Sequence, residues 1–312
     1  MLGSKQKFRL ERGYDLTKPI LTWWGGDAAT CSENDSILRD FIKNEKTGMF
    51  LPREKEEIIE CLNNSLHFAF PYRFAKDLKN FEVFFDDDSK MFFVLHKNKR
   101  LYFPKNWTKD KVIKYYHSLL IEQDLRSPHC YTCDGFEVKK SDIIADVGAA
   151  EGIWALENVE TAKFVYIFEP QKDYIHALYK TFDPYKEKVR IVNKYVGCGS
   201  KWWNGKVEID DFIAKNGVEI SFIKADIEGA ETMMLDGMPK LLKDKQDLRM
   251  LLCAYHRQND ADNLKKTLEA YGFSIEFSQG WMLLMHDRFG LQEPYFRKGL
   301  IRARKINSVQ SK

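Results

Sequence analysis

The sequence predicts an α/β fold with a doubly wound, mostly parallel, seven-stranded sheet, preceded by a smaller α+β region. Three features of the chain after residue 140 predict it. Apolar runs of strand length recur with helical patterns between them, the runs are apolar throughout, and the last two, FSIEF and WMLLM, are separated only by SQG. Uninterrupted apolar runs are typical of parallel strands covered on both faces, and three residues are too few for a crossover helix. We therefore expect FSIEF and WMLLM to form an antiparallel pair.

Length and composition favour one large domain or two unequal ones. The chain has 312 residues, of which 44% are apolar, and this is enough for a sizeable core. We expect an N-terminal accessory region over residues 1–120, the α/β domain over 121–290 and a basic C-terminal tail over 291–312. The tail contains FRKGLIRARK and is expected to form a solvated helix.

Charge and apolar patterning argue against several classes of protein. A formal net charge of +3, from 49 basic and 46 acidic residues, is too small and too dispersed to indicate nucleic acid as a partner. No run approaches the roughly 18 uncharged apolar residues of a membrane-spanning helix, and MLGSKQKFRL lacks the apolar run of a secretory signal. The six cysteines have no disulfide-framework spacing. These features predict a cytoplasmic protein with reduced thiols.

The accessory region is predicted to combine helices with a small antiparallel sheet. Helical spacing of apolar residues, with acids in the first turn of the second segment, is seen at 35–44, 53–64 and 109–123. Three aromatic-rich strand segments separated by polar turn residues lie at 81–85, 91–96 and 100–104.

The α/β domain is predicted from five strand-length apolar runs and the helical patterns between them. The strands are expected at 142–147, 163–169, 188–193, 220–226 and 248–256. The clearest helices between them are at 173–182 and 259–272. This alternation is typical of a sheet with helices on both faces.

Residues at the carboxyl ends of the first two strands suggest a nucleoside site, because ligands of open α/β sheets bind at that edge. The first strand ends at Asp146 and continues into a loop with Gly148 and Gly152. Glycine lets the backbone approach a ligand closely, and the helix that follows presents free N–H groups. The second strand ends at Glu169, 23 positions after Asp146, where a carboxylate can accept both hydroxyls of a ribose.

The loop sequence distinguishes between adenosine ligands. A dinucleotide loop would have the pattern G-x-G-x-x-G, but this loop reads GAAEG, and Glu151 would repel a pyrophosphate. Asp146 suits a ligand that carries an amine, such as the methionyl group of S-adenosylmethionine. A nicotinamide-dependent oxidoreductase is therefore the less favoured alternative.

Four segments in order, IIADVGAAEGIWALE, VYIFEP, FIKADIEGAETMMLDG and LLCAYHRQND, resemble the FkbM-like family of S-adenosylmethionine-dependent methyltransferases over about residues 120–290. The strongest is IKADIEGAE, which is close to the family's K-x-D-x-E-G-x-E signature. The resemblance implies a class I, Rossmann-like methyltransferase fold and O-methylation of a sugar or polyketide-type hydroxyl. The cofactor-binding residues that follow from the motifs are Asp146, Gly148, Ala149, Ala150, Gly152, Glu169, Pro170 and Asp226.

The catalytic candidates stand at the ends of the fourth and fifth strands. Methyl transfer to oxygen needs the acceptor oxygen held in line with the methyl group and a base to take the proton of the alcohol. We expect His256 or Asp226 to be that base, with Glu228 orienting the substrate or contacting the cofactor. The alternative is that Asp226, Glu228 and His256 hold a divalent metal ion, and a histidine of structural importance only is a further interpretation of His256.

Two aromatic segments are candidates for contact with a ligand. His129 and Tyr131 precede the first strand, where a substrate loop would lie, and Trp202 and Trp203 follow the third strand, where a ring could stack on adenine or a sugar. A buried connecting loop and core tryptophans are the alternative interpretations.

The function predicted from these features is S-adenosylmethionine-dependent O-methylation of a sugar or glycan precursor. The expected partner is a small-molecule or glycan acceptor, with no bound metal required and with a homodimer compatible with the sequence. A cofactor-binding subunit without catalytic activity is the non-enzymatic alternative.

Overall fold

The computed structural model describes residues 28–63, 69–199, 205–284 and 291–305. The helices are α1 (Ala28–Asn44), α2 (Pro52–Asn63), α3 (Lys109–Glu122), α4 (Ile153–Asn158), α5 (Lys172–Phe182), α6 (Ile209–Asn216), α7 (Glu231–Asp236), α8 (Pro239–Asp244) and α9 (Asp260–Ala270). The strands are β1 (Val83–Asp86), β2 (Met91–His96), β3 (Lys99–Tyr102), β4 (Ile143–Val147), β5 (Phe164–Phe168), β6 (Val189–Val192), β7 (Tyr195–Val196), β8 (Lys206–Val207), β9 (Phe222–Ala225), β10 (Arg249–Cys253), β11 (Phe273–Phe277), β12 (Met282–Leu283), β13 (Phe296–Arg297) and β14 (Leu300–Lys305).

The main sheet has seven strands in the order β11-β14-β10-β9-β4-β5-β6. The strands from β10 to β6 pair in parallel, and β14 runs antiparallel to both of its neighbours. The predicted class of fold, a mostly parallel seven-stranded sheet of the class I methyltransferase type, is thereby confirmed.

The strands of the main sheet are buried on both faces, as their uninterrupted apolar sequences predict. Along β4, Ile144 contributes to the core on one face, whereas Ala145 and Val147 contribute to the core on the other. The first of these cores also contains Leu38 and Ile58 from α1 and α2. The accessory region is therefore packed on one face of the main sheet, and β1–β3 form the small antiparallel sheet that the aromatic segments predict.

The C-terminal segment corrects two expectations. FSIEF does pair antiparallel, but its partner is β14, and the short strand of WMLLM pairs with β13 instead. The basic segment expected to be a solvated helix contains β14, whose first four residues are buried between β10 and β11. The basic residues of this segment suggested exposure to solvent, but Arg302 is buried in the sheet. Its guanidinium donates a hydrogen bond to the carbonyl oxygen of Cys130.

Two further expectations concern the chain as a whole. Among the described helices, none combines the length and the apolar character that crossing a membrane requires. The described cysteines Cys61, Cys130, Cys133, Cys198 and Cys253 are free thiols.

The position of β14 gives a test of stability. Leu300 is fully buried at the start of β14, so Leu300→Ala is expected to lower the free energy of unfolding by about 2–5 kcal/mol. The matched change Leu125→Ala, at a side chain that is 81% exposed, should alter it by no more than about 0.5 kcal/mol. Urea unfolding followed by circular dichroism measures both, and equal effects would contradict the placement of β14 in the core.

Candidate functional site

A cavity of about 910 Å³ lies at the carboxyl ends of β4, β5, β9 and β10. This is the edge of an open α/β sheet where ligands bind, and the volume is within the range of cavities that hold small molecules and cofactors. Helix α3 lies along the cavity and lines it from Lys111 to Glu122. The accessory region therefore forms one wall of the site.

The loop after β4 enters the site at Gly148. This residue has a φ of +72°, and its N–H donates a hydrogen bond to the carbonyl oxygen of Phe168 at the end of β5. A Cβ atom on Gly148 would lie 1.9 Å from the carbonyl oxygen of Asp226, so only glycine permits this approach of the two loops. Gly148, Ala149 and Ala150 all line the cavity, as expected of cofactor-binding residues.

Gly152 has a packing role that the sequence did not reveal. It precedes α4 with a φ of +84°, and a Cβ atom there would lie 2.8 Å from Leu178 and 2.9 Å from Phe182 of α5. It is not among the residues that line the cavity. The glycine therefore serves the contact between α4 and α5, and its predicted approach to a ligand stays a prediction.

Asp146 is fully buried behind the cavity wall and is paired with a side chain of the same molecule. Its Oδ1 lies 3.0 Å from the Nζ of Lys224, which also donates a hydrogen bond to the carbonyl oxygen of Gly148 at 2.9 Å. Although burial opposes the charge of Lys224, the carboxylates of Asp146 and Asp226 raise the pKa of its ammonium group. Asp146 thus pairs with the ammonium group of Lys224, which itself lines the cavity. The expected contact of Asp146 with an amine of the ligand stays a prediction.

Glu169 is placed as the sequence predicts, at the end of β5 and in the cavity wall together with Pro170. One carboxylate oxygen accepts the N–H of Ala150 at 2.8 Å, and the other accepts the N–H of Gln171 at 2.7 Å. Each oxygen can accept a second hydrogen bond. The carboxylate is thus fixed by the backbone and keeps the capacity to bind hydroxyl groups.

Glu151 faces the same cavity and has an unusual environment. Its Oε2 accepts a hydrogen bond from the hydroxyl group of Tyr115 on α3 at 2.7 Å. Burial raises the pKa of Glu151 to about 7, although the hydrogen bond from Tyr115 opposes that rise. A carboxyl group at this position disfavours a pyrophosphate, in agreement with the preference for an adenosine ligand without one.

Asp226 collects three partners at the other end of the cavity. Its Oδ2 accepts a hydrogen bond from the hydroxyl group of Tyr131 at 2.8 Å and lies 3.5 Å from the Nε2 of His129. Its Oδ1 lies 3.2 Å from the Nε2 of His256. Although burial favours the protonated form, the two histidines hold the pKa of Asp226 well below its usual value. The predicted substrate residues His129 and Tyr131 are thus brought together with Asp226.

His256 is held between two carboxylates. Its Nδ1 lies 3.2 Å from Glu231 and its Nε2 lies 3.2 Å from Asp226. Burial would lower its pKa, but the contacts with Asp226 and Glu231 raise it to about 10. The ring is therefore an imidazolium at neutral pH and is absent from the cavity-lining residues of the described structure. This geometry argues against the expectation that His256 takes a proton from the acceptor.

The turn after β9 positions the remaining acids of the signature. Glu228 has a φ of +56° and Gly229 a φ of +86°, and the Oε1 of Glu231 accepts the N–H of Ile227 at 2.9 Å. The side chain of Glu228 is 85% exposed, lines the cavity and lies 3.8 Å from His256. Glu231, which is buried, thus fixes the turn, whereas Glu228 remains free to contact a substrate.

Among the residues that the structure describes, two clusters have ligand atoms close enough for a metal ion, namely His129, Asp226 and Cys253, and Asp226, Glu231 and His256. The second contains Glu231 in place of the predicted Glu228. The carboxylates of Asp226 and Glu231 contact different nitrogens of the His256 ring and so clamp the imidazolium between them. The two carboxylates do not face a common point where an ion could sit. The donor arrangement of this cluster therefore fits an ion poorly.

The first cluster is organised by Gln123. The N–H of Tyr131 donates to the Oε1 of Gln123 at 3.1 Å, so the amide nitrogen of Gln123 faces the Nδ1 of His129 at 3.4 Å. This assigns the ring proton of a neutral His129 to Nε2, toward Asp226. In the described structure these side chains form a hydrogen-bonded network.

Two features of this site, Lys224 and the cavity-lining face of α3, were not predicted from the sequence. One predicted feature lies outside the described residues. Lys224 was part of the family signature but had no assigned role, and the cavity-lining face of α3 was treated only as a helix of the accessory region. Residues on that face recur at helical spacing, which is the one signal that could have revealed them: Lys111, Lys114, Tyr115, Ser118, Leu119 and Glu122. Trp202 and Trp203 lie outside the described residues.

Comparison with known proteins agrees with this fold. Residues 205–275 match the Methyltransferase FkbM domain family, which confirms the predicted resemblance. Over that segment the chain is similar to the FkbM methyltransferases. No curated protein matches the chain significantly.

Similar solved structures include a methyltransferase FkbM from Methylobacillus flagellatus KT, with 17% identity and a TM-score of 0.42 over 78% of this chain and 60% of that one. The chain thus spans about three fifths of that protein. An rRNA methylase from Streptococcus thermophilus has 14% identity and a TM-score of 0.38 over 55% of this chain and 90% of the other. TrmK from M. capricolum, in complex with S-adenosyl-homocysteine, has 12% identity and a TM-score of 0.35 over 54% and 64%. At these levels the likenesses carry no information on the acceptor of this chain.

The contact between Gly148 and Asp226 predicts a position-specific effect of a methyl group. Gly148→Ala combines a positive φ with a clash against backbone and is expected to lower the free energy of unfolding by about 2–4 kcal/mol. Gly272→Ala has a similar φ of +79° but no atom within 4 Å of the new Cβ, so only about 1 kcal/mol should be lost. Urea unfolding of both variants provides the comparison. A Gly148 variant as stable as the Gly272 variant would mean that the two loops are not in contact.

The clamped imidazolium predicts a dependence of stability on pH. Because the pKa of His256 is raised in the folded state, its stabilising contribution is fully present below its ordinary pKa of 6.5 and is lost as the pH rises toward about 10. His256→Asn should therefore cost more stability at pH 6 than at pH 10. Denaturant unfolding at pH 6, 8 and 10 measures this, with His176→Asn, at an exposed side chain of α5, as the control. A cost that stays constant with pH would contradict the clamp.

Proposed function

We propose that this chain is an S-adenosylmethionine-dependent methyltransferase that methylates a hydroxyl group of a sugar or glycan precursor. The observation that carries the proposal is the shared cavity. One continuous space is lined by the loop at Gly148, by Glu169 and by Asp226. A nucleoside at the first two residues would place its reactive group toward the third.

The residues of the cavity fit this cofactor. Glu169 has acceptor capacity left on both oxygens for the hydroxyls of a ribose. The ammonium group of Lys224 offers a partner for a carboxylate, and the backbone of residues 148–150 borders the same space. When bound, S-adenosylmethionine would supply an electrophilic methyl group on a sulfonium. The role proposed for Asp146 is indirect, because it holds Lys224 in place.

The end of the cavity at Asp226 supports a hydroxyl acceptor without negative charge. Asp226, Glu122 and Glu228 all line the cavity, and the charges of Asp226 and Glu228 act on Glu122. Three neighbouring carboxyl groups would repel phosphate or carboxylate groups of an acceptor. Apolar surface is added by Phe70, Tyr255 and Met282. Carboxylates for hydrogen bonding and aromatic rings for packing are a combination that suits a neutral polyhydroxylated ring.

In this proposal Asp226 orients the acceptor. Its carboxylate is fixed by Tyr131, His129 and His256, and it can accept a hydrogen bond from a hydroxyl group of the acceptor. Holding the oxygen in line with the methyl group is the larger part of such a reaction. Since two histidines hold the pKa of Asp226 far below its usual value, the carboxylate is suited to orientation and is a weak proton acceptor.

The proposal is tested by methyl transfer from radiolabelled S-adenosylmethionine to a panel of neutral sugars and glycans. Asp226→Asn is expected to lower kcat by about 100-fold or more because the acceptor loses its orientation. The affinity for S-adenosylhomocysteine, measured by calorimetry, should stay within about threefold, whereas Glu169→Gln should weaken it about tenfold by loss of charged hydrogen bonds.

Three outcomes would contradict the proposal in different ways. Absence of S-adenosylhomocysteine binding would remove the cofactor. Binding without transfer to any acceptor would favour the cofactor-binding subunit without catalysis. Transfer to nitrogen or carbon atoms in place of oxygen would retain the methyltransferase and overturn the acceptor class.

A further inference from the structure

We propose that Glu122, in the last turn of α3, is the catalytic base that removes the proton from the acceptor hydroxyl. The inference rests on the proposed function and adds the residue that neither the family signature nor the sequence pattern identified. It assigns an essential catalytic group to α3, the helix that crosses the predicted domain boundary at residue 120, and not to a strand end of the main sheet.

Within the described structure, the cavity wall contains six carboxyl groups, which are Asp110, Glu122, Glu151, Glu169, Asp226 and Glu228. Three of them are already engaged. Glu169 accepts two backbone N–H groups, Glu151 accepts the Tyr115 hydroxyl, and Asp226 has three side-chain partners. Each of these three carboxyl groups is therefore already held in place by partners within the protein.

The remaining three carboxyl groups differ in their exposure to solvent. Asp110 is exposed, and the side chain of Glu228 is 85% exposed at the mouth of the cavity. Glu122 is half-buried, and its one hydrogen bond within the described structure is a long one, from the Ser118 hydroxyl to Oε1 at 3.5 Å. Among the described carboxyl groups of the cavity wall, Glu122 is therefore the enclosed one that the protein holds most weakly.

The surroundings of Glu122 increase its basicity. Burial raises its pKa, His129 opposes the rise, and the negative charges of Asp226 and Glu228 add to it. A base whose pKa approaches the working pH removes a proton more effectively than one of low pKa. Tyr131 and Tyr255, which also line this end of the cavity, have their pKa values raised well above the usual range by burial, so they donate hydrogen bonds and do not act as bases.

In the proposed step, each bond that breaks is matched by a bond that forms. The carboxylate of Glu122 takes the hydroxyl proton as the O–H bond breaks, the acceptor oxygen forms the new O–C bond, and the electron pair of the broken C–S bond remains on sulfur, giving S-adenosylhomocysteine. Asp226 keeps the acceptor oxygen in place, and the proton on Glu122 returns to solvent when the products leave.

The test compares Glu122→Gln, Glu122→Asp and a control. Glu122→Gln is expected to lower kcat by about 100-fold or more with KM for the acceptor changed less than threefold and S-adenosylhomocysteine affinity unchanged. Glu122→Asp retains a carboxyl group and should keep more activity than the Gln variant. Glu269→Gln is the matched control, because Glu269 also lies in the last turn of a helix, α9, but on the exposed surface.

The dependence on pH distinguishes a base from a structural residue. The rate of the wild-type enzyme should fall at acid pH as Glu122 becomes protonated, in a limb above the usual range of a glutamate, and this limb should be lost in Glu122→Gln. The same group should titrate in the carbon-13 spectrum of protein labelled at glutamate carboxyls, by difference from the Gln variant, without any turnover.

The possible results distinguish a wrong assignment of the base from a wrong proposed function. If the wild-type protein transfers methyl groups and Glu122→Gln is equally active, or loses activity with the acid limb unchanged, the assignment of the base is overturned and the proposed function stands. If Glu122→Gln does not fold, the Asp variant decides, because its rate and acid limb can be compared with the wild type and its spectrum lacks the signal of Glu122. A wild-type protein without transfer overturns the proposed function and the base together.

Discussion

The pairing of β4 with β9 is the constraint on which the site depends. The register sets Val147 opposite Ala225, so the two strands end at the same level and their loops begin side by side. Gly148 can then approach the carbonyl oxygen of Asp226 because it lacks a Cβ atom. A shift of one residue would turn every side chain of β9 to the other face. One backbone contact thus fixes the distance between the loop after β4 and Asp226, which are proposed to hold the cofactor and the acceptor.

Buried charged pairs further restrict the geometry that the register of β4 and β9 sets. Lys224 and Asp226 are two positions apart on the same strand path, so they lie on the same face. Lys224 is compensated by Asp146, and Asp226 is compensated by His129 and His256. Since an uncompensated buried charge is costly, each partner restricts where the others can lie. The clamp of His256 by Glu231 extends this order to the turn that carries Glu228.

Patterns local in the sequence predicted much of this structure, whereas contacts between distant segments were beyond their reach. The strands from β4 to β10 were identifiable because burial on both faces requires continuous apolar residues. Strand β14 was not, since LIRARK appears solvated until its arginines find partners such as the Cys130 carbonyl and the ring of Phe136. The same limit applies to the site. Asp226 was identifiable from a motif, but the pairing of Asp146 with Lys224 needed the register of two strands.

Helix α3 shows why a division of this chain at residue 120 separates what the site joins. Its cavity-lining face runs from Lys111 to Glu122, and Tyr115 on that face holds Glu151 of the nucleoside loop. A change of tilt in this helix would therefore move contacts at both ends of the cavity together. In the proposed function the α/β domain holds the nucleoside, and α3 contributes to the size and charge of the space beside it. Selection for a new acceptor is accordingly expected to act on α3 and its supporting helices before it acts on the sheet.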